Sequence, residues 1–129
     1  MKMSSNGIVG WFDLTVDDAE QVSQFYEQVV GWKKTGLPMN DGEYEDFCML
    51  PAEGKDPIGG ICHKRGDNRE FPSQWLIYIN VEDLNKSMET CQGLGGKVVY
   101  GPRSMGSYGT MCVIEDPAGA AAALIQPSS

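Results

Sequence analysis

Alternation of apolar and polar positions predicts a β-strand near the start of the chain. Over residues 8–16 one face of an extended chain is apolar, with Phe12, Leu14 and Val16, and the other is mixed, with Trp11, Asp13 and Thr15. The next segment changes to a helical period, and its apolar side chains form one stripe: Ala19, Val22, Phe25, Tyr26, Val29 and Val30. Asp17 and Glu20 fit a variant of the capping box at the helix start, and Gly31 fits a C-terminal cap. The pattern therefore predicts a strand followed by an amphipathic helix.

Short apolar runs separated by turn residues fill the rest of the first half. Residues 47–50 and 58–62 are predicted strands, and residues 64–72 are polar enough to form a linker. The pattern then restarts with a strand at 75–81 and a helix that carries Leu84, Met88, Cys91 and Leu94 on one face. Three further strands are predicted at 97–100, 111–115 and 120–126, with turns at Gly101-Pro102 and Asp116 to Gly119.

The two halves form an internal repeat. Val16-Asp17-Asp18 recurs as Val81-Glu82-Asp83, 65 positions later, and the same offset aligns Gly31 with Gly96. Each half has the order β-α-β-β-β, and a unit of about 60 residues buries too little apolar surface to be stable alone. We therefore expect a single domain over residues 1–129, with one module at about 7–63, a linker at about 64–72 and a second module at about 73–126.

Composition excludes several classes of function. The chain has 129 residues and a formal net charge of −8, so it repels nucleic-acid phosphates, and no DNA or RNA partner is expected. No apolar stretch approaches the roughly 18–20 residues that span a bilayer, and residues 1–6 lack the apolar run of a signal peptide. We expect a cytoplasmic protein without a membrane partner. The four cysteines contain no Cys-x-x-Cys motif and are expected to be small buried hydrophobic residues.

Several short motifs between Ile8 and Gln126 occur in an order and spacing that identify a family: Leu14 to Asp18, Phe25-Tyr26, Gly31-Trp32, Val81 to Asp83, Gly95 to Val98 and Asp116 to Gly119. Through them the chain resembles the vicinal oxygen chelate superfamily, which includes glyoxalase I, extradiol dioxygenases and bleomycin-resistance proteins. The resemblance implies an α+β fold. In this fold two tandem βαβββ modules form a curved mixed sheet around a cavity, with helices on the outer face. It also implies a homodimer.

The resemblance further implies four inward-facing strand positions at which metal-using members carry His, Gln or Glu. In this chain those positions are Trp11, Gly60, Leu76 and Ala123. None of these side chains can coordinate a cation. The chain also has one histidine, His63, which is expected in an exposed loop and cannot supply a two-His-one-carboxylate iron site. We therefore expect no metal and no cofactor, and glyoxalase I or extradiol dioxygenase activity is not expected.

The side chains on the inward-facing positions predict an apolar and aromatic cavity for a small molecule. Trp11 and Tyr78 offer flat surfaces on which an aromatic or cationic ligand can stack. Asp13 is either a cation anchor or general base, or an ordinary salt-bridged or partly exposed carboxylate. The expected ligand-binding residues are Trp11, Asp13, Gly60, Leu76, Tyr78, Tyr108 and Ala123, with Tyr108 at the cavity mouth.

These residues leave three functions open. The first is a metal-free protein that binds an aromatic or cationic small molecule. The second is a lyase, isomerase or dioxygenase-like enzyme with a non-standard site, in which Asp13 and Tyr78 are the candidate acid and base. The third is an interaction module in which Trp11, Leu76 and Tyr78 plug the cavity.

Overall fold

Residues 4–128, which the computed structural model describes, contain eight strands and two α-helices in a repeated β-α-β-β-β order. The first repeat contains β1 (Val9–Val16), α1 (Ala19–Val30), β2 (Lys33–Met39), β3 (Tyr44–Leu50) and β4 (Gly59–His63). The second contains β5 (Trp75–Asn80), α2 (Leu84–Gly93), β6 (Lys97–Ser104), β7 (Gly109–Glu115) and β8 (Ala121–Pro127). The predicted α+β class with tandem βαβββ modules is confirmed.

Both repeats order their strands in the same way. The order is β2-β3-β4-β1 in the first and β6-β7-β8-β5 in the second. In each repeat the first strand pairs in parallel with the last, with Asp13 opposite Gly60 and Tyr78 opposite Ala123. The other pairs are antiparallel. α2 begins 65 residues after α1, and β7 begins 65 residues after β3, so the offset seen in the sequence is also the period of the fold.

The chain forms two compact units. One unit is Phe12–Trp75, and from here on module one means this unit and not the predicted range of about 7–63. The other, module two, consists of the segment that ends at Trp11 and the segment that begins at Leu76. Within module two the N-terminal segment pairs with β5, because Asn80 donates its backbone N–H to the Ile8 carbonyl at 2.8 Å and accepts from Gly7 at 2.7 Å.

Module one buries its core between α1 and one face of its strands. The core residues are Leu14, Ala19, Phe47, Met49 and Ile61. The helix is capped by Asp18, whose side chain accepts from the Gln21 backbone N–H at 3.0 Å, so the predicted cap at Asp17 is wrong by one residue. The expected C-terminal cap is confirmed, because Gly31 has a φ of 77° that favours glycine.

Module two buries an equivalent core under α2. Leu84, Cys112 and Leu124 are its buried members. Leu94, which was expected on the apolar face of this helix, is 73% exposed. The helix ends at Gly93 and Leu94 is its C-terminal cap residue, so the apolar spacing extends past the helix end.

Three segments differ from the sequence prediction in local structure. The strand β2 is required by the predicted β-α-β-β-β order but was assigned to no residues, because its apolar residues are interrupted by Gly36 and Pro38. The strand β6 continues through Gly101-Pro102, which was predicted as a turn. Residues 64–72 contain a 3-10 turn at Gly66–Asn68, and Phe71 is 3% exposed. Among residues 4–128, neither α-helix has the length and apolar character needed to cross a membrane.

Candidate functional site

Each module has one sheet face that packs on its helix and one that is turned away from it, which we call the inner face. In module one, Leu14 and Ile61 pack on the α1 side, so Asp13 and Gly60 lie on the inner face. In module two, Ile79 and Leu124 pack on the α2 side. The predicted residues Leu76, Tyr78 and Ala123 therefore lie on its inner face.

The predicted site residues differ widely in exposure. Leu76, Tyr78 and Ala123 are 2%, 4% and 0% exposed. Trp11 and Asp13 are half-buried and share one side of β1 through strand alternation. Tyr108 is 75% exposed in a 3-10 turn at Gly106–Tyr108. Leu76, Tyr78 and Ala123 therefore present almost no surface to solvent.

Gly60 and Asp13 are in close contact on the inner face of module one. A Cβ atom added at Gly60 would overlap the Asp13 carboxylate and lie 3.6 Å from the Phe47 carbonyl oxygen. Any other residue at this position must therefore displace the Asp13 side chain. The position at which the family resemblance implies a fourth metal ligand is thus next to a carboxylate that occupies the available space.

Two thiols, those of Cys62 and Cys48, lie on the inner face of module one near the carboxylates of Asp13 and Asp46. Burial raises the pKa of the Cys62 thiol far above its usual value, and the negative charges of Asp13 and Asp46 raise it further. Burial also raises the pKa of Cys48, with a second contribution from Asp13. Both thiols therefore stay protonated near neutral pH, which makes them poor nucleophiles and poor metal ligands. None of the four cysteines is in a disulfide; Cys112 is buried as expected, and the other three are half-buried.

Asp46 and Glu45 orient His63 at the end of β4. Asp46, which is 4% exposed, accepts the backbone N–H of His63 at 2.8 Å. Nδ1 of His63 lies 2.9 Å from the Glu45 carbonyl oxygen and 3.5 Å from the Asp46 carboxylate. A carbonyl oxygen can only accept, so Nδ1 carries the proton and the lone pair of the neutral ring is on Nε2. The expectation of an exposed loop histidine is wrong, because the Asp46 side chain and the Glu45 carbonyl, both in β3, hold this residue half-buried at a strand end.

The inner face of module two contains a row of residues that sequence reasoning identified only in part. Tyr78 lies opposite Ala123, Ala123 opposite Val113, and Val113 opposite Tyr100. The next row brings Arg103 opposite Met111. The strand β6 has two register shifts, one between Val98 and Tyr100 and one between Tyr100 and Arg103. These shifts place the side chains of both Tyr100 and Arg103 on this face.

Arg103 and Tyr100 are in direct contact. Nη1 of Arg103 donates to the Tyr100 hydroxyl at 2.9 Å, and its Cζ lies 5.4 Å from the centre of the Tyr100 ring. Nη2 donates to the Met105 sulfur at 3.0 Å. The sequence prediction missed this pair because it placed a turn at Gly101-Pro102. In addition, the alternation of faces along a strand does not continue through a bulge. The sequence signal that could have revealed the pair is a tyrosine and a basic residue that flank a Gly-Pro pair.

The donor set does not fit the divalent metal that the fold family implies. Trp11, Gly60, Leu76 and Ala123 offer no side-chain lone pair suitable for a cation. Within residues 4–128 no group of three or more His, Cys, Asp or Glu side chains is placed to hold a metal ion. The chemistry considered below therefore involves no metal-dependent step.

An open depression of about 430 Å³ lies outside the inner face, beside α2 and β6. Its lining includes Met88, Glu89, Gln92, Val98 and Pro102. It contains none of the residues predicted to bind a ligand, and its wide opening gives little enclosure for a small molecule.

Comparison with known proteins identifies the family. The model of the Glyoxalase/Bleomycin resistance protein/Dioxygenase superfamily matches residues 8–124. The chain belongs to this superfamily, and the resemblance found in its motifs is confirmed.

Curated relatives cover nearly the whole chain but are much longer. The protein named "Putative glyoxylase CFP32" from Mycobacterium tuberculosis is 26% identical over 126 residues, which are 98% of this chain and 46% of that protein. The anthracycline biosynthesis protein DnrV of Streptomyces peucetius is 28% identical, over 92% of this chain and 46% of its own length. The chain therefore spans about half the length of the curated relatives it matches.

Solved structures share the fold at low sequence identity. Methylmalonyl-CoA epimerase in complex with methylmalonyl-CoA and NH4+ has a TM-score of 0.57 and 11% identity, covering 97% of each chain. Methylmalonyl-CoA epimerase from Mycobacterium tuberculosis has a TM-score of 0.56 and 14% identity, over 99% of this chain and 94% of that one. At this identity the likeness establishes the fold and not the activity.

Proposed function

We propose that this protein binds a small aromatic or cationic organic molecule without a metal ion. The observation that carries the proposal is the donor set, because all four positions at which metal-using members carry ligands have side chains that cannot coordinate. The expected contact residues are Trp11, Asp13, Gly60, Leu76, Tyr78, Tyr108 and Ala123. Bleomycin-resistance members of the same superfamily, by the resemblance, act through binding alone.

The chemistry of two half-buried residues supports this ligand class. Trp11 has the largest aromatic surface of the naturally occurring side chains and can stack on a planar ligand. Asp13 supplies a carboxylate on the inner face of module one, where a cation could bind. Small-molecule sites combine apolar surface with a few polar groups in this way.

Thermal-shift screening combined with elemental analysis tests the proposal. Planar aromatic compounds, cationic and neutral, are expected to raise the melting temperature, and the shift is expected to decrease in Trp11→Ala. Protein expressed in metal-supplemented medium is expected to contain no stoichiometric Ni, Zn, Fe or Mn. One metal ion per chain, lost on changing a particular side chain, would overturn the proposal, as would a complete absence of thermal shifts.

A second candidate function is an enzyme with a non-standard site, and the glyoxylase name given to CFP32 favours it. In this case Asp13 and Tyr78 are the candidate acid and base, since a carboxylate can accept a proton and a phenol hydroxyl can donate one. The test is Asp13→Asn, which preserves size. Loss of a measured lyase or isomerase activity in a variant of unchanged stability would support this function over binding alone.

We also propose that the protein is a homodimer in the cytoplasm. The family resemblance implies this state, because members commonly use both modules, often across a homodimer, to build the site. Light scattering coupled to size-exclusion chromatography measures the mass directly. A mass of 14.1 kDa at micromolar concentration would contradict the dimer.

A further inference from the structure

His63 presents an oriented basic nitrogen at the end of β4 in module one. The Glu45 carbonyl oxygen accepts its Nδ1 proton at 2.9 Å, and the Asp46 carboxylate lies 3.5 Å from the same nitrogen. These two contacts fix the tautomer, so the lone pair of the neutral ring is on Nε2. A general base requires a lone pair that the second ring nitrogen holds in a fixed direction in this way.

The Nε2 atom is open to a substrate. The hydrogen bonds and ring contacts of His63 within residues 4–128 involve its backbone N–H, Nδ1 and the ring surface, and none involves Nε2. In the same part of the chain, no buried side-chain nitrogen or oxygen lacks a hydrogen-bond partner, so Nε2 reaches the protein surface. Water therefore has direct access to the lone pair.

Two groups that stabilise negative charge lie beside this ring. The Tyr44 ring meets it edge-on, with the two ring centres 5.5 Å apart, and the Arg65 guanidinium carbon lies 4.1 Å from the centre of the Tyr44 ring. Desolvation and the charge of Asp46 raise the pKa of the Tyr44 hydroxyl, which therefore remains a proton donor near neutral pH.

The guanidinium of Arg65 is available to a ligand. Its Nη2 donates to the Glu43 carboxylate at 2.7 Å, and both side chains are exposed. Exposed ion pairs of this kind are weak, so a developing oxyanion can compete with Glu43 for the N–H groups. The base, the hydroxyl and the guanidinium are thus close enough for one small molecule to contact all three.

We propose that His63, Tyr44 and Arg65 catalyse the hydrolysis of small neutral esters. Nε2 of His63 removes a proton from water, and the water oxygen forms a bond to the ester carbonyl carbon. The carbonyl oxygen becomes an oxyanion that the Tyr44 hydroxyl and Arg65 stabilise. When the carbonyl re-forms, the bond to the alcohol oxygen breaks and the imidazolium gives its proton to that oxygen. The products are a carboxylic acid and an alcohol or phenol.

Two features of the surroundings define this substrate class. The flanking carboxylates of Glu43 and Asp46 outnumber the one cation, Arg65, and so disfavour a substrate that is already anionic. The open position of Nε2 favours water as the nucleophile over reactions that require water to be excluded. The Tyr44 ring also offers an aromatic contact to the leaving group of an aryl ester.

Asp46 acts here as a positioning residue. It is 4% exposed, accepts the backbone N–H of His63 at 2.8 Å and faces Nδ1 from the side opposite to the reacting nitrogen. Its negative charge stabilises the imidazolium that exists between the two proton transfers.

Hydrolysis of 4-nitrophenyl acetate, followed by the absorbance of 4-nitrophenolate, tests the proposal. The native protein is expected to release many equivalents per chain, which distinguishes turnover from acetylation of lysines. Its second-order rate constant is expected to be at least about tenfold that of 4-methylimidazole, because the free base has no positioned oxyanion donors. The rate is expected to fall in D2O, since a proton moves from water to Nε2 during the attack.

Variants assign the rate to these side chains. His63→Gln is expected to lower it at least about tenfold, and Tyr44→Phe and Arg65→Met are expected to lower kcat several-fold. Asp46→Asn keeps an acceptor for the backbone N–H of His63 and is expected to lower kcat without changing KM. Arg69→Met removes another exposed arginine of module one and is the matched control, with no expected change.

Chemical modification keeps the test valid if His63→Gln does not fold. His63 is the only histidine, so diethyl pyrocarbonate can modify only one imidazole, and this is expected to abolish the rate, which hydroxylamine should restore. A rate no higher than that of 4-methylimidazole would overturn the proposal. So would a rate that survives His63→Gln or modification, or one that is unchanged in D2O. None of these results bears on the proposed function, because no residue of this site is among its expected ligand contacts.

Discussion

The contact between Gly60 and Asp13 gives the sharpest prediction for the candidate site. Replacing Gly60 with Ala places a methyl group where the Asp13 carboxylate now lies. Overpacking of this kind costs about 1–3 kcal/mol, and the reduced entropy of the unfolded chain offsets about 0.4–1 kcal/mol of that cost. We therefore expect Gly60→Ala to lower the free energy of unfolding by about 1–2 kcal/mol.

The same substitution in an Asp13→Ala background should behave differently. With the carboxylate gone, the nearest remaining neighbour of the added methyl group is the Phe47 carbonyl oxygen, at an ordinary contact distance of 3.6 Å. Gly60→Ala is then expected to be neutral or slightly stabilising. The double-mutant cycle should give a coupling free energy of about 1–2 kcal/mol, within the range found for residues in direct contact.

Urea unfolding followed by tryptophan fluorescence measures all four proteins of the cycle. The midpoint of Gly60→Ala should fall by about 0.5–1 M with an unchanged m value, if m is about 2 kcal/mol/M for a domain of this size. Gly93→Ala is the matched control, because nothing lies within 4 Å of its added Cβ atom and its effect should add to that of Asp13→Ala. A coupling free energy below about 0.3 kcal/mol would refute the reasoning, since it would mean that Asp13 is not held against Gly60.

Three further predictions concern groups away from this contact. Burial raises the pKa of Cys112 to about 11, so the folded protein keeps this thiol proton after the unfolded chain has lost it. The free energy of unfolding should therefore fall between about pH 9 and pH 11, more steeply in the native protein than in Cys112→Ala; equal slopes would contradict this cause. Nitrogen-detected NMR of the single histidine should show the Nδ1-protonated tautomer of His63 in mildly alkaline buffer, and an Nε2-bound proton would disprove the bond to Glu45. Tyr26→Phe removes the hydroxyl that accepts the Trp75 indole N–H at 3.1 Å, and chemical denaturation should show a loss of about 0.5–1.5 kcal/mol, whereas unchanged stability would contradict this bond.

The repeat made the fold predictable. Alternation and helical period predicted the elements, and the 65-residue offset between Val16-Asp17-Asp18 and Val81-Glu82-Asp83 showed that they repeat. Local errors arose where tertiary structure, and not the local sequence pattern, sets the end of an element. Leu94 continues an apolar spacing, but α2 ends one residue before it. Such ends depend on capping geometry that short-range patterns describe only within a few residues.

Only those residues of the candidate site that lie on regularly alternating strands were predictable from the sequence. Strand alternation placed Asp13 and Tyr78 on inner faces, and the registers of β1 and β5 agree with this. Arg103 was missed because bulges change which residues share a face. The orientation of His63 was missed because it depends on a carbonyl and a carboxylate 17–18 residues earlier in the chain. No spacing rule connects residues that far apart before the strand pairing is known.

The division of β1 constrains how this protein can be shortened or split. Residues 4–11 belong with module two, although they come before module one in the chain. A C-terminal fragment that starts in residues 64–72 would lose the backbone partner of β5 that Ile8 supplies to Asn80. Such a fragment would expose an unpaired strand edge, which favours aggregation. An N-terminal peptide that includes residues 4–11, supplied in trans, is the minimal complement that such a fragment requires.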